Sequence, residues 1–125
     1  MKTATIAFAA LLIGAGGAFA AEPAKVIETS AGKVLADMNG MTLYSCDKDE
    51  AGKSNCYDQC ATNWPPLKAE GDAMASGEWS VVERTDGSKM WAYKGMPLYT
   101  FIADKTPGDV AGDGKNGVWH VIKAE

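Results

Sequence analysis

This sequence predicts an all-β domain of two pseudo-equivalent antiparallel units, packed as a small sandwich or partly closed barrel with one short helix near residues 56–62. Three observations point there. The chain repeats itself at a spacing of 55 residues. Glycine-containing turns fall at matching places in both copies. Between the turns, apolar and polar residues alternate with period two, the pattern of half-buried antiparallel strands.

The repeat comes first, because self-similarity constrains the whole fold. Residues 24–67 align without a gap on residues 79–122, and ten of the 44 pairs are identical: Val26/Val81, Glu28/Glu83, Gly32/Gly87, Gly40/Gly95, Met41/Met96, Leu43/Leu98, Tyr44/Tyr99, Asp49/Asp104, Asp58/Asp113 and Trp64/Trp119. Ordinary amino-acid usage would give roughly two or three. Each copy reads as three short strands and a loop. In the first, Lys25–Thr29 and Lys33–Met38 flank Ala31-Gly32, and Asn39-Gly40 turns the chain into Met41–Cys46. In the second, Trp79–Arg84 and Lys89–Tyr93 flank Asp86-Gly87, and Lys94-Gly95 turns into Met96–Ile102. Asn-Gly and Asp-Gly favour hairpin turns because both residues tolerate positive φ. Trp79 and Val81 point one way along their strand, Ser80, Val82 and Arg84 the other.

After Asp49 and Asp104 the copies diverge. Ser54 or Asn55 can cap a helix over Cys56–Thr62 that Pro65-Pro66 would stop. The second copy has Pro107 and four glycines over the same span, so a loop leading to a last strand, Val118–Lys123, is expected there. Residues 68–78 are polar and contain glycine, as a surface linker would. Trp64, Trp79, Trp91, Trp119, Tyr44 and Tyr99 are the expected bulk of the core.

Residues 1–20 read as a cleavable export signal: Lys2, an apolar run Ile6–Ile13, then Ala18-Phe19-Ala20 as a small-x-small cleavage site. The run is shorter than the roughly 20 apolar residues that span a bilayer. Cleavage near Ala20 leaves a single mature domain, 21–125, in the periplasm or outside the cell. Ala21 rather than a cysteine follows the cut, which predicts a free soluble protein without a lipid anchor or transmembrane segment, expected to be a monomer. The mature chain carries 11 basic and 16 acidic residues. That balance argues against nucleic acid, whose phosphates are held by basic side chains.

Three cysteines, Cys46, Cys56 and Cys60, would meet an oxidising compartment, where disulfides persist and an odd count leaves one thiol over. Cys56 and Cys60 lie one helical turn apart, and Cys46 is an alternative partner for either. The trio and the only histidine, His120, are also candidate ligands, and with Met38, Met41, Met90 or Met96 they are soft donors of the kind copper accepts. Residues 109–114 resemble a calcium loop in outline, but Ala111 and His120 stand where oxygen ligands are needed. Asp49 and Asp104 form a duplicated carboxylate pair, and duplication favours a structural device such as an Asp accepting loop N–H groups over acid–base work. No nucleophile motif accompanies His120, so no catalytic residues are assigned.

Gly-Met-Thr-Leu-Tyr-Ser-Cys-Asp-Lys-Asp over 40–49 and Gly-Met-Pro-Leu-Tyr-Thr-Phe-Ile-Ala-Asp over 95–104 resemble the exported bacterial family described as a secreted repeat of unknown function. Its members are described as predicted lipoproteins with a Tyr-x-(Phe/Trp/Tyr)-x-x-Asp motif. The resemblance extends to Cys56-Tyr-Asp-Gln-Cys60-Ala, Trp64-Pro-Pro-Leu67, Arg84-Thr-Asp-Gly87 and Pro107-Gly-Asp109. It maps the motif onto Tyr99, Phe101 and Asp104, and onto Tyr44 and Asp49 with Cys46 in the aromatic place. It thereby implies Cys56 and Cys60 as the disulfide pair, with Cys46 the extra thiol. The expectation is an exported, non-catalytic structural or binding module without a cofactor, taking a small ligand or a protein partner. The alternative is a periplasmic copper-type metal or thiol-redox protein using Cys46, Cys56, Cys60 and His120.

Overall fold

Hairpins dominate the computed structural model, which describes residues 23–70 and 73–124; the export signal and its cleavage site lie outside the described residues. Strands β1 (Ala24–Thr29) and β2 (Gly32–Asp37) form one antiparallel pair, and β4 (Trp79–Glu83), β5 (Lys89–Tyr93) and β6 (Met96–Pro97) form a three-stranded sheet. Strand β3 (Tyr44–Cys46) pairs antiparallel with β7 (Trp119–Val121), joining one copy to the other. The only α-helix among the described residues, α1, runs Gln59–Asn63, and a single 3-10 turn covers Lys115–Gly117. The fold is thus all-β with one short helix, built as three small sheets without a closed barrel. No helix among the described residues is long and apolar enough to cross a membrane.

Turn chemistry places the hairpins. Gly40 and Gly95 take φ of 88° and 87°, and Gly32 and Gly87 take 100° and 88°. Those values suit glycine and crowd any Cβ. The copies are nevertheless not superimposable residue for residue. Two residues link β1 to β2, whereas five (84–88) link β4 to β5. Val26 therefore faces Leu35, while Val81 faces Trp91, one position beyond the gapless alignment. A longer turn after β2 restores the register by Gly40 and Gly95.

Several strands are shorter than expected, and helix α1 starts late. Its N-terminal neighbour Asp58 has φ 54° and ψ −123°, which no helix accepts, so the helix begins after the Cys56-Tyr-Asp corner rather than at Cys56. Met41–Cys46 and Met96–Ile102 pair only in part, because these segments leave one partner for another. Tyr44 exchanges both backbone hydrogen bonds with Tyr99, at 2.8 and 2.9 Å. Each copy also gives its last segment to the other. Leu67 and Ala69 bond to Leu98, Trp91 and Lys89, while Ile122 and Ala124 bond to Leu35 and Lys33.

Because the segments cross, alternation separates two cores rather than core from solvent. Val34, Met90, Ala92, Val82, Tyr44, Tyr99, Trp64, Phe101, Trp119 and Val121 bury in one cluster. Leu35, Trp91, Leu43, Leu98, Trp79 and Ala24 bury in the other. Neighbouring residues of β2 and β5 thus point into different cores, and Val34-Leu35-Ala36 and Met90-Trp91-Ala92 are buried without interruption. All six aromatic residues expected in the core are there.

Candidate functional site

The motif tyrosines and aspartates meet between copies, not within them. Tyr44 donates its phenolic O–H to Asp104 Oδ2 at 2.6 Å, and Tyr99 donates to Asp49 Oδ2 at 2.6 Å. Each second carboxylate oxygen accepts a loop N–H, that of Asn55 at Asp49 and that of Ala111 at Asp104. All four side chains are buried. Buried polar groups are retained at low cost only when paired, and no buried side-chain N or O among the described residues lacks a partner. Burial first, then the carboxylate beside it, pushes each phenol well above its ordinary pKa. Burial also raises Asp49, an effect opposed by the Tyr99 hydroxyl, the Asn55 N–H and the charge of Arg84.

One end of this arrangement has an addition that the other lacks. Arg84 donates to Ser54 Oγ at 2.9 Å and to the Cys56 carbonyl at 2.6 Å, and its guanidinium lies 4.1 Å from the centre of the Tyr57 ring. Ser54 stands 2.5 Å from the Tyr99 oxygen. Since Tyr99 gives its proton to Asp49, the chain of donation runs Arg84 to Ser54 to Tyr99 to Asp49, from cation to anion. Arg84 is the only arginine in the sequence. Its period-two position beside Val82 was the signal for an inward role, which its charge obscured.

Cys56 and Cys60 are bonded to each other, and Cys46 is a buried free thiol. Burial pushes the Cys46 thiol up, against a smaller opposing effect from a backbone hydrogen bond at Lys48. All three sulfur residues line one cavity of about 270 Å³, together with Lys48, Asp49, Asn55, Asn116, Val118 and Trp119. Cys46 occupies the place where Phe101 stands in the second copy. Phe101 fills its own place by stacking on Trp64, and the smaller Cys46 leaves the equivalent region open. Of the other lining residues, sequence reasoning missed Lys48, in the turn before Asp49, and Asn55, Asn116 and Val118, which sit in loops where the copies diverge.

His120 is not among the residues lining this cavity. Its Nε2 lies 2.8 Å from Asp47 Oδ2 on the surface, so the structure separates it from the sulfurs it was grouped with as a copper ligand. The reason is topological: His120 faces Ser45 across β3 and β7, and alternation turns it away from the side of Cys46 and Trp119. Among the described residues, no group of three His, Cys, Asp or Glu side chains is arranged to hold a metal ion. Met90 is buried and Met38 exposed, so the methionines do not form one face either. Asp109 of the glycine-rich loop accepts the N–H groups of Lys105 and Thr106 and the Thr106 hydroxyl, which closes a local turn. Asp49 lines the cavity and Asp104 does not.

The family model of a secreted repeat of unknown function matches the chain twice, over residues 25–68 and 80–123. No curated protein and no solved structure matches it. The crossed tyrosine–aspartate bonds run between the two matched units. The chain belongs to the family of secreted repeats of unknown function.

Proposed function

We propose that this protein is an exported, soluble, non-catalytic binding module, released to the periplasm or the exterior after cleavage near Ala20, and that its ligand site is the cavity beside Cys46. One observation carries the reading. The motif residues common to both copies, Tyr44, Tyr99, Asp49 and Asp104, are occupied in bonds to each other. The cavity, by contrast, is lined mostly where the copies differ, at Cys46, Lys48, Asn55, Cys56, Cys60, Asn116 and Val118, with only Asp49 and Trp119 shared by the repeat. A duplicated scaffold supports one unduplicated site.

At about 270 Å³ the cavity falls just below the range of typical small-molecule pockets. It suits a compact ligand with an apolar face against Trp119 and the disulfide and polar atoms toward Lys48, Asn55 and Asn116. A fragment screen read by amide NMR on the mature protein tests this. Hits should shift Lys48, Asn55, Asn116 and Val118 together, and Val118→Trp, which fills the space, should abolish the shifts. Shifts confined to another face would overturn the site. Stoichiometric copper in the purified protein, with all three cysteines free to thiol labelling, would overturn the module reading itself.

A further inference from the structure

The two copies place their aromatic rings in one continuous column. Trp64 and Trp119, equivalent in the repeat, lie parallel with centroids 3.8 Å apart and planes 3° apart. Tyr44 meets Trp64 edge-on at 5.2 Å, and Tyr99 meets Trp119 edge-on at 5.3 Å. Both terminal rings are phenols, and each already gives its hydrogen bond to a buried carboxylate of the other copy at 2.6 Å. Packing accounts for four contacting rings. The carboxylates also hold the Asn55 and Ala111 N–H groups, but that needs only an acceptor. The phenols at the two ends add a proton donor bonded directly to each carboxylate, and phenylalanine would fill the same volume without supplying it.

We propose that Tyr99–Trp119–Trp64–Tyr44 is a one-electron relay whose resting places are the two tyrosines. A one-electron oxidant, a metal complex or an oxyl radical, removes an electron from an indole. The neighbouring tyrosine returns that electron, its O–H bond breaks, and the proton moves along the existing hydrogen bond to Asp49 or Asp104. The products are a neutral tyrosyl radical, a neutral carboxylic acid and the reduced oxidant. A one-electron reductant, a reduced metal complex or an enediol, later gives one electron to the tyrosyl radical as the proton returns from the carboxylic acid, restoring phenol and carboxylate. The carboxylate matters because a phenol that lost its electron without its proton would leave an extra positive charge in the core, where poor solvation makes charge costly. Entry is available where Trp119 lines the open cavity. The relay does not require a ligand in the cavity.

The test uses the mature protein and a photogenerated ruthenium(III) polypyridyl complex, with radicals followed by transient absorption and electron paramagnetic resonance. The chain has four tyrosines, of which Tyr57 and Tyr93 lie outside the column. The double variant Tyr57→Phe/Tyr93→Phe leaves only Tyr44 and Tyr99 and disturbs no core contact of the column. It should retain the neutral tyrosyl signal of the wild type. In Tyr44→Phe/Tyr99→Phe that signal should be lost and replaced by a tryptophanyl radical. Loss of the signal in Tyr57→Phe/Tyr93→Phe, or no tyrosyl radical in the wild type, overturns the relay whether or not the core variants fold.

Discussion

Tyr44 and Tyr99 show what a single hydroxyl does in this molecule. Removing one by Tyr→Phe keeps the ring and its stacking but leaves a buried carboxylate oxygen without its donor. Such an orphan costs about 1–3 kcal/mol. Tyr99→Phe should be the more destabilising of the two, because it also breaks the chain from Arg84 through Ser54. Tyr44→Phe frees only Asp104 and the Gly112 N–H. Urea denaturation of both variants at neutral pH measures the difference, and equal midpoints would contradict it. Cys46 supplies a pH prediction at the same scale. Its folded pKa lies above the ordinary 9.0 because the thiol is buried. Its contribution to stability is therefore complete below pH about 9 and lost as the pH rises through the folded value. The stability gap between wild type and Cys46→Ala should narrow on going from pH 8 upward past that value, and the native thiol should resist Ellman's reagent at neutral pH until denaturant is added. The pairing of Cys56 with Cys60 came from resemblance, not from spacing alone, and Cys46 was legible as the odd thiol only because it stands in a motif position meant for an aromatic ring.

Among the elements, the second loop shows how little room the crossing leaves. A Cβ built on Gly112 would lie 2.5 Å from Trp64 Cη2 and 3.0 Å from Phe101 Cδ2. Both rings are held in a stack, so neither yields. Gly112→Ala should cost about 1–3 kcal/mol, as overpacked cores do. Gly114, with no atom within 4 Å of such a Cβ, is the contrasting site: Gly114→Ala meets only its own backbone penalty at φ 80°. Thermal unfolding of the pair, with near-ultraviolet circular dichroism reporting the tryptophan stack, checks this. A loss of the aromatic signal is expected for Gly112→Ala and not for Gly114→Ala. The loop glycines were visible in the sequence as breakers of a helix. That one of them exists to admit a tryptophan was not, since Trp64 lies 48 residues away in the chain.

For the whole molecule, reciprocal exchange makes the two copies interdependent. The first copy's hairpin β1–β2 is completed by residues 122–124, and the second copy's by residues 67–69. Every motif tyrosine finds its acceptor in the other half. Residues 21–70 expressed alone should therefore stay largely unfolded, as should 71–125. Mixing them should recover the native amide spectrum, and the intact protein should unfold in one cooperative step. A folded, monomeric half would show that the exchange is ornamental.

What the sequence by itself determined here is local. The repeat is read by comparing two stretches of the sequence with each other, and the glycine turns at positive φ, the all-β class and the aromatic content of the core follow from residues a few positions apart, because turn geometry and strand alternation are set over that range. The tertiary structure decided everything that depends on which distant segments meet. It passed each terminal segment to the other copy and turned alternation into two cores instead of one. It also brought Cys46 to the Cys56–Cys60 bond in one cavity while leaving His120 on the surface. The segment exchange rests on backbone contacts across 20 to 91 residues, and no local pattern encodes which partner a buried hydroxyl or an exposed strand edge will take.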